Sequence, residues 1–377
     1  MQLKKDTLKL SQATILAILA SHALHAENYV SVEFLQYDEN DNRVSVSAPS
    51  LSVSYDIGTD YTIKADMVHD AVTGATPSWQ PDSNSGASSR DNSGDYVYKN
   101  QTFDEERNAG SIMVTKRFAN RDELYVGGDY SRESDFDAKT GSIEYMHYLD
   151  KSHNQAMNIG ASYSYNEILA YDYDGGSGAS QKEESTSINF QVGFTQVLSD
   201  SSSAKVSAFT LVDDGYLTNP HANVVRDYGT ANQELVTENR PDRRNAYGVN
   251  LQYITLLGDD VSYQAKYRYY TDDWEIDSHT LDNDIYYALN KKLTLEVGLR
   301  YYTQTEASFY NGAKDYFTTE TFASSDERLS EFDALTYKAS VDFRQNDTLS
   351  YNLGGEFYSQ STGLDATMIT VGMKYRF

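Results

Sequence analysis

Residues Ala366 to Phe377 read A-T-M-I-T-V-G-M-K-Y-R-F, and this stretch decides the fold. Ile369, Val371, Met373, Tyr375 and Phe377 share one parity, and Thr370, Gly372, Lys374 and Arg376 share the other. Strict period 2 belongs to a strand with one apolar and one polar face. The apolar face needs either a protein core or lipid to cover it. In lipid every backbone N–H and C=O has to be paired within the protein, and a sheet meets that demand only by closing on itself.

The alternation recurs along the chain. Leu293, Leu295, Val297, Leu299 and Tyr301 oppose Thr294, Glu296, Gly298 and Arg300, and Leu335, Tyr337, Ala339, Val341 and Phe343 oppose Thr336, Lys338, Ser340 and Asp342. Val261, Tyr263, Ala265, Tyr267 and Tyr269 oppose Ser262, Gln264, Lys266 and Arg268 in the same way. Sixteen strand-sized segments follow, at about 29–37, 44–57, 61–69, 109–118, 124–133, 141–149, 155–165, 185–198, 204–213, 244–257, 261–271, 280–289, 293–303, 334–343, 348–358 and 366–377. Seven very short polar turns, the first at Gly58-Thr59-Asp60, alternate with connections that are mostly longer. These run at about 38–43, 70–108, 134–140, 166–184, 214–243, 272–279, 304–333 and 359–365. The expected fold is all-β: a transmembrane antiparallel up-and-down β-barrel of about 16 strands, with short periplasmic turns and long extracellular loops. In the second segment Val44, Val46 and Ala48 lie on one parity and Leu51, Val53, Tyr55 and Ile57 on the other, so a bulge is expected around Pro49.

The amino-terminus fits an exported chain. Lys4, Lys5 and Lys9 precede a short apolar run from about Ala13 to Ala20, and small residues follow at Ser21, Ala23 and Ala26. That order is a secretory signal peptide over 1–26, which leaves 27–377 as the barrel. The run is far shorter than the roughly 20 residues of a spanning helix. The chain has no cysteine, which excludes a disulfide scaffold and thiolate metal sites. A formal charge of −25 argues against a nucleic-acid partner. Tyrosine is used 32 times, and its apolar ring with a wet tip suits a membrane interface. A mean hydropathy of −0.61 suits a barrel, where only alternate residues of each strand meet lipid. A soluble β-sandwich would share the period, but not the export signal together with the alternation of short and long connections.

With the apolar parity outside, the other parity lines the lumen. The charged candidates there are Glu33, Lys64, Asp66, Asp129, Lys266, Arg268, Glu296, Arg300, Lys338, Asp342, Glu356, Lys374 and Arg376. Closure of the first strand on the last is expected to bring Glu33 to Lys374 or Arg376. Sixteen strands leave an aqueous space unless a loop folds in, and 70–108, 214–243 and 304–333 are long enough to plug or constrict it. Acidic runs mark the connections: Asp38 to Asn42, Asp104 to Glu106, Asp172 to Gly176, Asp213 to Gly215, and Asp272-Asp273. None has the EF-hand order, so solvated loop acid is expected in place of Ca²⁺ sites, and no cofactor is called for. His69, His147, His153, His221 and His279 lack metal-ligand spacing. A His69–Asp70 dyad is the one catalytic arrangement the sequence suggests, and no G-x-S-x-G nucleophile accompanies it.

The aromatic ending at Tyr375 and Phe377 resembles the terminal strand of Gram-negative outer-membrane barrels, where it is read by the barrel assembly machinery. The stretches Glu33 to Val44 and Val68 to Pro77, with the terminal strand, resemble a family of bacterial outer-membrane barrels defined as a domain of unknown function. Its most specific piece matches Asp70, Thr73, Gly74, Ala75, Thr76 and Pro77. Locally that piece reads as a turn where a strand leaves the sheet. The resemblance implies the fold, an outer-membrane location, and a genomic setting near flavin-transferring and thioredoxin-like proteins. The functional expectation is a non-enzymatic, porin-like or solute-translocating barrel with a polar, charged lumen. The alternatives are a surface scaffold for an exported, redox-active partner and an outer-membrane hydrolase. Expected partners are outer-membrane lipid, lipopolysaccharide, the assembly machinery and a small polar solute.

Overall fold

A computed structural model describes residues 28–81, 96–171, 180–312 and 316–377. The expected signal peptide at 1–26 and the acidic run from Asp172 lie outside the described residues. The strands are β1 (Tyr29–Glu39), β2 (Val44–Ile57), β3 (Tyr61–Pro81), β4 (Tyr96–Arg117), β5 (Glu123–Arg132) and β6 (Phe136–Tyr148). They continue as β7 (Gln155–Tyr171), β8 (Ser180–Ser199), β9 (Ser202–Gly215), β10 (Asn223–Arg226), β11 (Glu234–Thr237) and β12 (Arg243–Leu256). The last six are β13 (Val261–Asp272), β14 (Asp277–Asn290), β15 (Leu293–Gln304), β16 (Phe332–Arg344), β17 (Leu349–Gln360) and β18 (Asp365–Arg376). All except β10 and β11 close into one antiparallel barrel of 16 strands, in which β9 pairs with β12 and β1 with β18. Among the described residues no helix is long and apolar enough to cross a membrane.

The barrel is built inside out relative to a soluble protein. Its large apolar side chains are exposed on the outer wall, among them Ile143, Val297, Leu353 and Val371, each more than half exposed. A continuous apolar band of this kind is stable only against acyl chains. Aromatic girdles edge the band. At the short-turn end Phe377 stacks between Tyr375 (6.3 Å) and Tyr55 (6.5 Å). At the long-loop end His279 lies 5.1 Å from Tyr269 and 6.0 Å from Tyr267. Amphipathic rings at both edges are what the two membrane–water interfaces favour.

Four expectations need correction. The β2 bulge is absent: Val32 pairs with Leu51 and Phe34 with Pro49 in one unbroken register, and β2–β3 keeps its register from Ser47↔Ala71 to Ser50↔Val68. The faces change polarity instead. Above the apolar band Ser45, Ser47 and Pro49 point outward, while Val44 and Val46 turn inward and pack with Val72 and Tyr37. The span 70–108 is mostly strand, because β3 and β4 run on to 21 and 22 residues as a paired hairpin beyond the band. Likewise β7 and β8 absorb most of 166–184. Glu33 stands opposite Gly372, whereas Lys374 faces Ser31 and Arg376 faces Tyr29.

Candidate functional site

All thirteen charged candidates fall on the inward parity, as the pairing across each ladder fixes. On β14–β16 they belong to an ion-pair lattice centred on Asp282. Arg300 Nε lies 2.7 Å and Lys338 Nζ 3.2 Å from Asp282 Oδ1, and Lys338 Nζ is also 3.9 Å from Asp284. Glu296 accepts from Ser340 (2.8 Å) and Asp342 from Asn352 (3.0 Å). Lys266 stands opposite Asp282 across β13–β14, and Glu356 stands opposite Lys338. Near the seam, Lys374 lies 4.5 Å over the Tyr29 ring and Arg376 donates to Ser350 at 3.0 Å. On β3, Lys64 and Asp66 pair at 3.3 Å, and Ser52 donates to Asp66. Asp129 faces inward from β5, opposite Thr140.

The wall from β6 to β12 differs in kind. Its inward positions are mainly neutral amides and hydroxyls, including Ser142, Asn158, Ser162, Asn189, Gln191 and Asn250. Charges interrupt it at Glu144 and Lys205 and, nearer the long-loop end, at Glu183, Asp213 and Arg244. Inward glycines let these side chains lie flat against the wall. Glu144 lies over Gly160, and side chains at Gly193 and Gly248 would collide with Asn158 and with the Phe209 ring. The parity rule reaches Asp282, Asp284 and Glu144, which the sequence reading passed over. Lys205 is harder, because Phe209 and Leu211 on the same inward face blur the alternation of β9.

Two connections fold together across the long-loop end. The β9–β12 connection carries the β10–β11 hairpin, which reaches β3, six strands along from its own attachment at β9. The β15–β16 connection meets it through bridges Arg226↔Tyr316, Asn239↔Ala323 and Tyr310↔Ser324. Val224, Val225, Ala323 and Ser324 are fully buried in this cap. Arg240 links Glu238 to Asp326 (2.6 Å) below the surface. Burial pushes the Tyr310 and Tyr316 hydroxyls up, so both stay protonated, and Tyr316 donates to the Ser324 carbonyl. A second core joins Trp274, Ile276, Ala307, Phe309 and Leu329, with the Trp274 and Phe309 rings 5.1 Å apart. The cap is tied to the rim on several sides. Arg43 pairs with Glu327 at 2.9 Å, Tyr98 donates to the Ser325 carbonyl at 3.2 Å, Trp79 lies 5.7 Å from Tyr228, and His221 meets Asp135. The connections 214–243 and 304–333 thus fold together over the long-loop end, and 70–108 supplies rim.

The segment Asp70 to Pro77, expected to be a turn, does not leave the sheet. It stays paired to β4 throughout. Asp70 faces inward and holds Arg107 across the β3–β4 ladder in a buried pair. Gly74 abuts the start of β2, where any side chain would collide with the Arg43 carbonyl. Beyond it β2 has ended, so Pro77 sits where β3 has only β4 as a partner. His69 points outward to Asn108 (3.0 Å), on the face opposite Asp70, so the two cannot form a dyad. Among the described residues, acids of three of these runs bond within the protein: Asp38 accepts from Ser45, Asp213 from Ser187, and Asp272 from Arg244 and the Trp274 and Ile276 amides. The fold does gather Glu105, Glu133 and Asp135, with one oxygen of each within 4.8 Å of the others. Ser134 engages Glu105 there, and His221 engages Asp135.

A family model described as "Protein of unknown function (DUF3570)" matches residues 7–373, and the chain belongs to that family. No curated protein matches it. Among solved structures it is similar to the ferric enterobactin receptor PfeA of Pseudomonas aeruginosa, at 9% identity and a TM-score of 0.45. That alignment covers 89% of this chain and 54% of the receptor, so the chain spans about half the receptor's length. It is also similar to a loop-deletion mutant of OmpT, an outer membrane protein of Vibrio cholerae (10% identity, TM-score 0.45, 93% and 98% covered). A third is the CymD monoaromatic hydrocarbon channel (9% identity, TM-score 0.44, 95% and 92% covered).

Proposed function

We propose that this member of the family is an outer-membrane barrel that passes small polar solutes through its lumen, with the folded cap setting what enters. The observation that carries this reading is the wall itself. Sixteen strands enclose a space whose inward face carries an ion-pair lattice on one side and neutral amides and hydroxyls on the other. Such a wall offers hydrogen bonds to a hydrated solute without a deep charge trap. Lipid and lipopolysaccharide contact the girdled outer band, and the assembly machinery reads the last strand. No cofactor enters the mechanism. The test is steady conductance of the purified protein in a planar bilayer, with candidate solutes as blockers.

The cap favours a second reading, a barrel plugged at its mouth that serves as a surface scaffold for an exported partner. Four cap residues have no exposed surface, as in a permanent plug. A silent barrel in the bilayer selects this reading. For a hydrolase the geometry offers little, since His69 and Asp70 occupy opposite faces. Unchanged lipid or peptide hydrolysis by His69→Ala removes that possibility.

A further inference from the structure

Seven arginines lie on the inward parity of the barrel strands, Arg107, Arg117, Arg244, Arg268, Arg300, Arg344 and Arg376, and of these Arg344 is exposed to water at the short-turn end of β16. Five have an acceptor within the protein. Arg107 holds Asp70, Arg117 donates to Thr62 at 2.8 Å, Arg244 holds Asp272, Arg300 holds Asp282, and Arg376 donates to Ser350. Arg268 differs. Its cross-strand neighbours are the neutral Asn250 and Thr280. Among the described residues no carboxylate, carbonyl or hydroxyl accepts from its guanidinium. The neutral phenols of Tyr270 and Tyr302 neighbour it. In a chain of net charge −25, a largely buried cation left without an acid calls for a partner from outside.

The surroundings say what kind. The Arg268 guanidinium lies 4.7 Å over the Phe209 ring and 5.9 Å from that of Tyr270. Phe209 takes this position because Gly248, between it and Tyr270 in the ladder, has no side chain to displace it. Stacking fixes the guanidinium plane and leaves its N–H edges for a ligand. Tyr270 packs against the Trp274 and Phe309 core of the cap, so Arg268 lies one inward position below the cap. A single planar cation with aromatic walls fits a monoanion with a flat apolar body. A carboxylate matches the fork with two parallel hydrogen bonds, whereas a dianion would require a second cation.

We propose that Arg268, with Phe209 and Tyr270, forms a lumenal binding subsite for aromatic carboxylates beneath the cap. This rests on the reading of the lumen as a solute path, but it is tested without flux. Benzoate and its neutral isostere benzamide are titrated calorimetrically into the folded barrel in detergent. Benzoate is expected to bind saturably and benzamide at least tenfold more weakly. Arg268→Gln is expected to lower benzoate affinity at least tenfold. Arg268→Lys, which keeps charge but loses the fork and the stack, is expected to fall between, and it decides the matter if the glutamine variant does not fold. Arg132→Gln on the outer wall is expected to bind as the parent does. Equal binding of benzoate and benzamide overturns the subsite, as does full benzoate affinity in either Arg268 variant. A barrel that binds benzoate yet is silent in the bilayer overturns the transport reading alone.

Discussion

Asp122, in the turn between β4 and β5, is nearly inaccessible and yet stays ionised. Burial works against its charge. Hydrogen bonds from Tyr145, His147 (2.8 Å), the Tyr148 amide (3.2 Å) and Asn120 (2.7 Å) outweigh it and lower the pKa to about 2. A depressed folded-state pKa contributes stability above the ordinary carboxylate value, and that contribution is lost as pH falls through the folded one. Stability in urea is therefore expected to drop between about pH 4 and pH 2, and Asp122→Asn should flatten that part of the profile and lower the plateau above it. An unchanged profile in Asp122→Asn argues against this assignment. The Asp70–Arg107 pair makes a second residue-scale prediction. Both side chains are largely buried, so Asp70→Ala strands a cation and should cost about 3 kcal/mol. Glu167→Ala breaks an exposed, solvent-screened pair with Lys139 and should cost far less. Urea midpoints of the two variants in the same detergent measure the contrast.

At the scale of the strand, one position's shift in parity exchanges lipid for water. Val371 is half exposed between the girdles, and Thr370 beside it faces the lumen. Val371→Lys is expected to cost about 2 kcal/mol or more, and Thr370→Lys much less, as read by urea unfolding in liposomes. Equal losses would contradict the inside-out assignment. The same parity is why so much of the wall was legible beforehand: Lys338, Glu296 and Arg300 could be placed inward from the leucines, valines and tyrosines between them. It failed where the solvent changes along a strand. Val44 and Val46 are apolar and inward because they lie above the lipid band, under the mouth, so the pattern inverted with no bulge in the backbone. The β3–β4 hairpin was unreadable for a related reason. Beyond the membrane neither face needs to be greasy, and period 2 disappears while the ladder continues. Arg268 was legible as inward but not as unpaired, since pairing depends on which strand lies beside it.

For the whole molecule, the open question is whether the cap is a fixed lid or a part that opens, and both tryptophans of the chain stand where they can report it. Trp274 lies in the cap core and Trp79 in the rim against Tyr228, each almost fully buried. The barrel ladder and the cap are held by different forces. The ladder is a closed ring of backbone hydrogen bonds, whereas the cap rests on two small apolar clusters and a few ion pairs. Loosening the cap should therefore leave the barrel intact. Phe309→Ala removes the ring packed edge-on against Trp274, a loss of about 3 kcal/mol confined to that cluster. Tryptophan emission should shift to the red while β-sheet circular dichroism and the urea midpoint of the barrel stay as they were. If the cap gates a solute path, conductance in the bilayer should rise with that shift. If emission shifts and conductance does not, the obstruction lies deeper than the cap, and the lumen belongs to a scaffold.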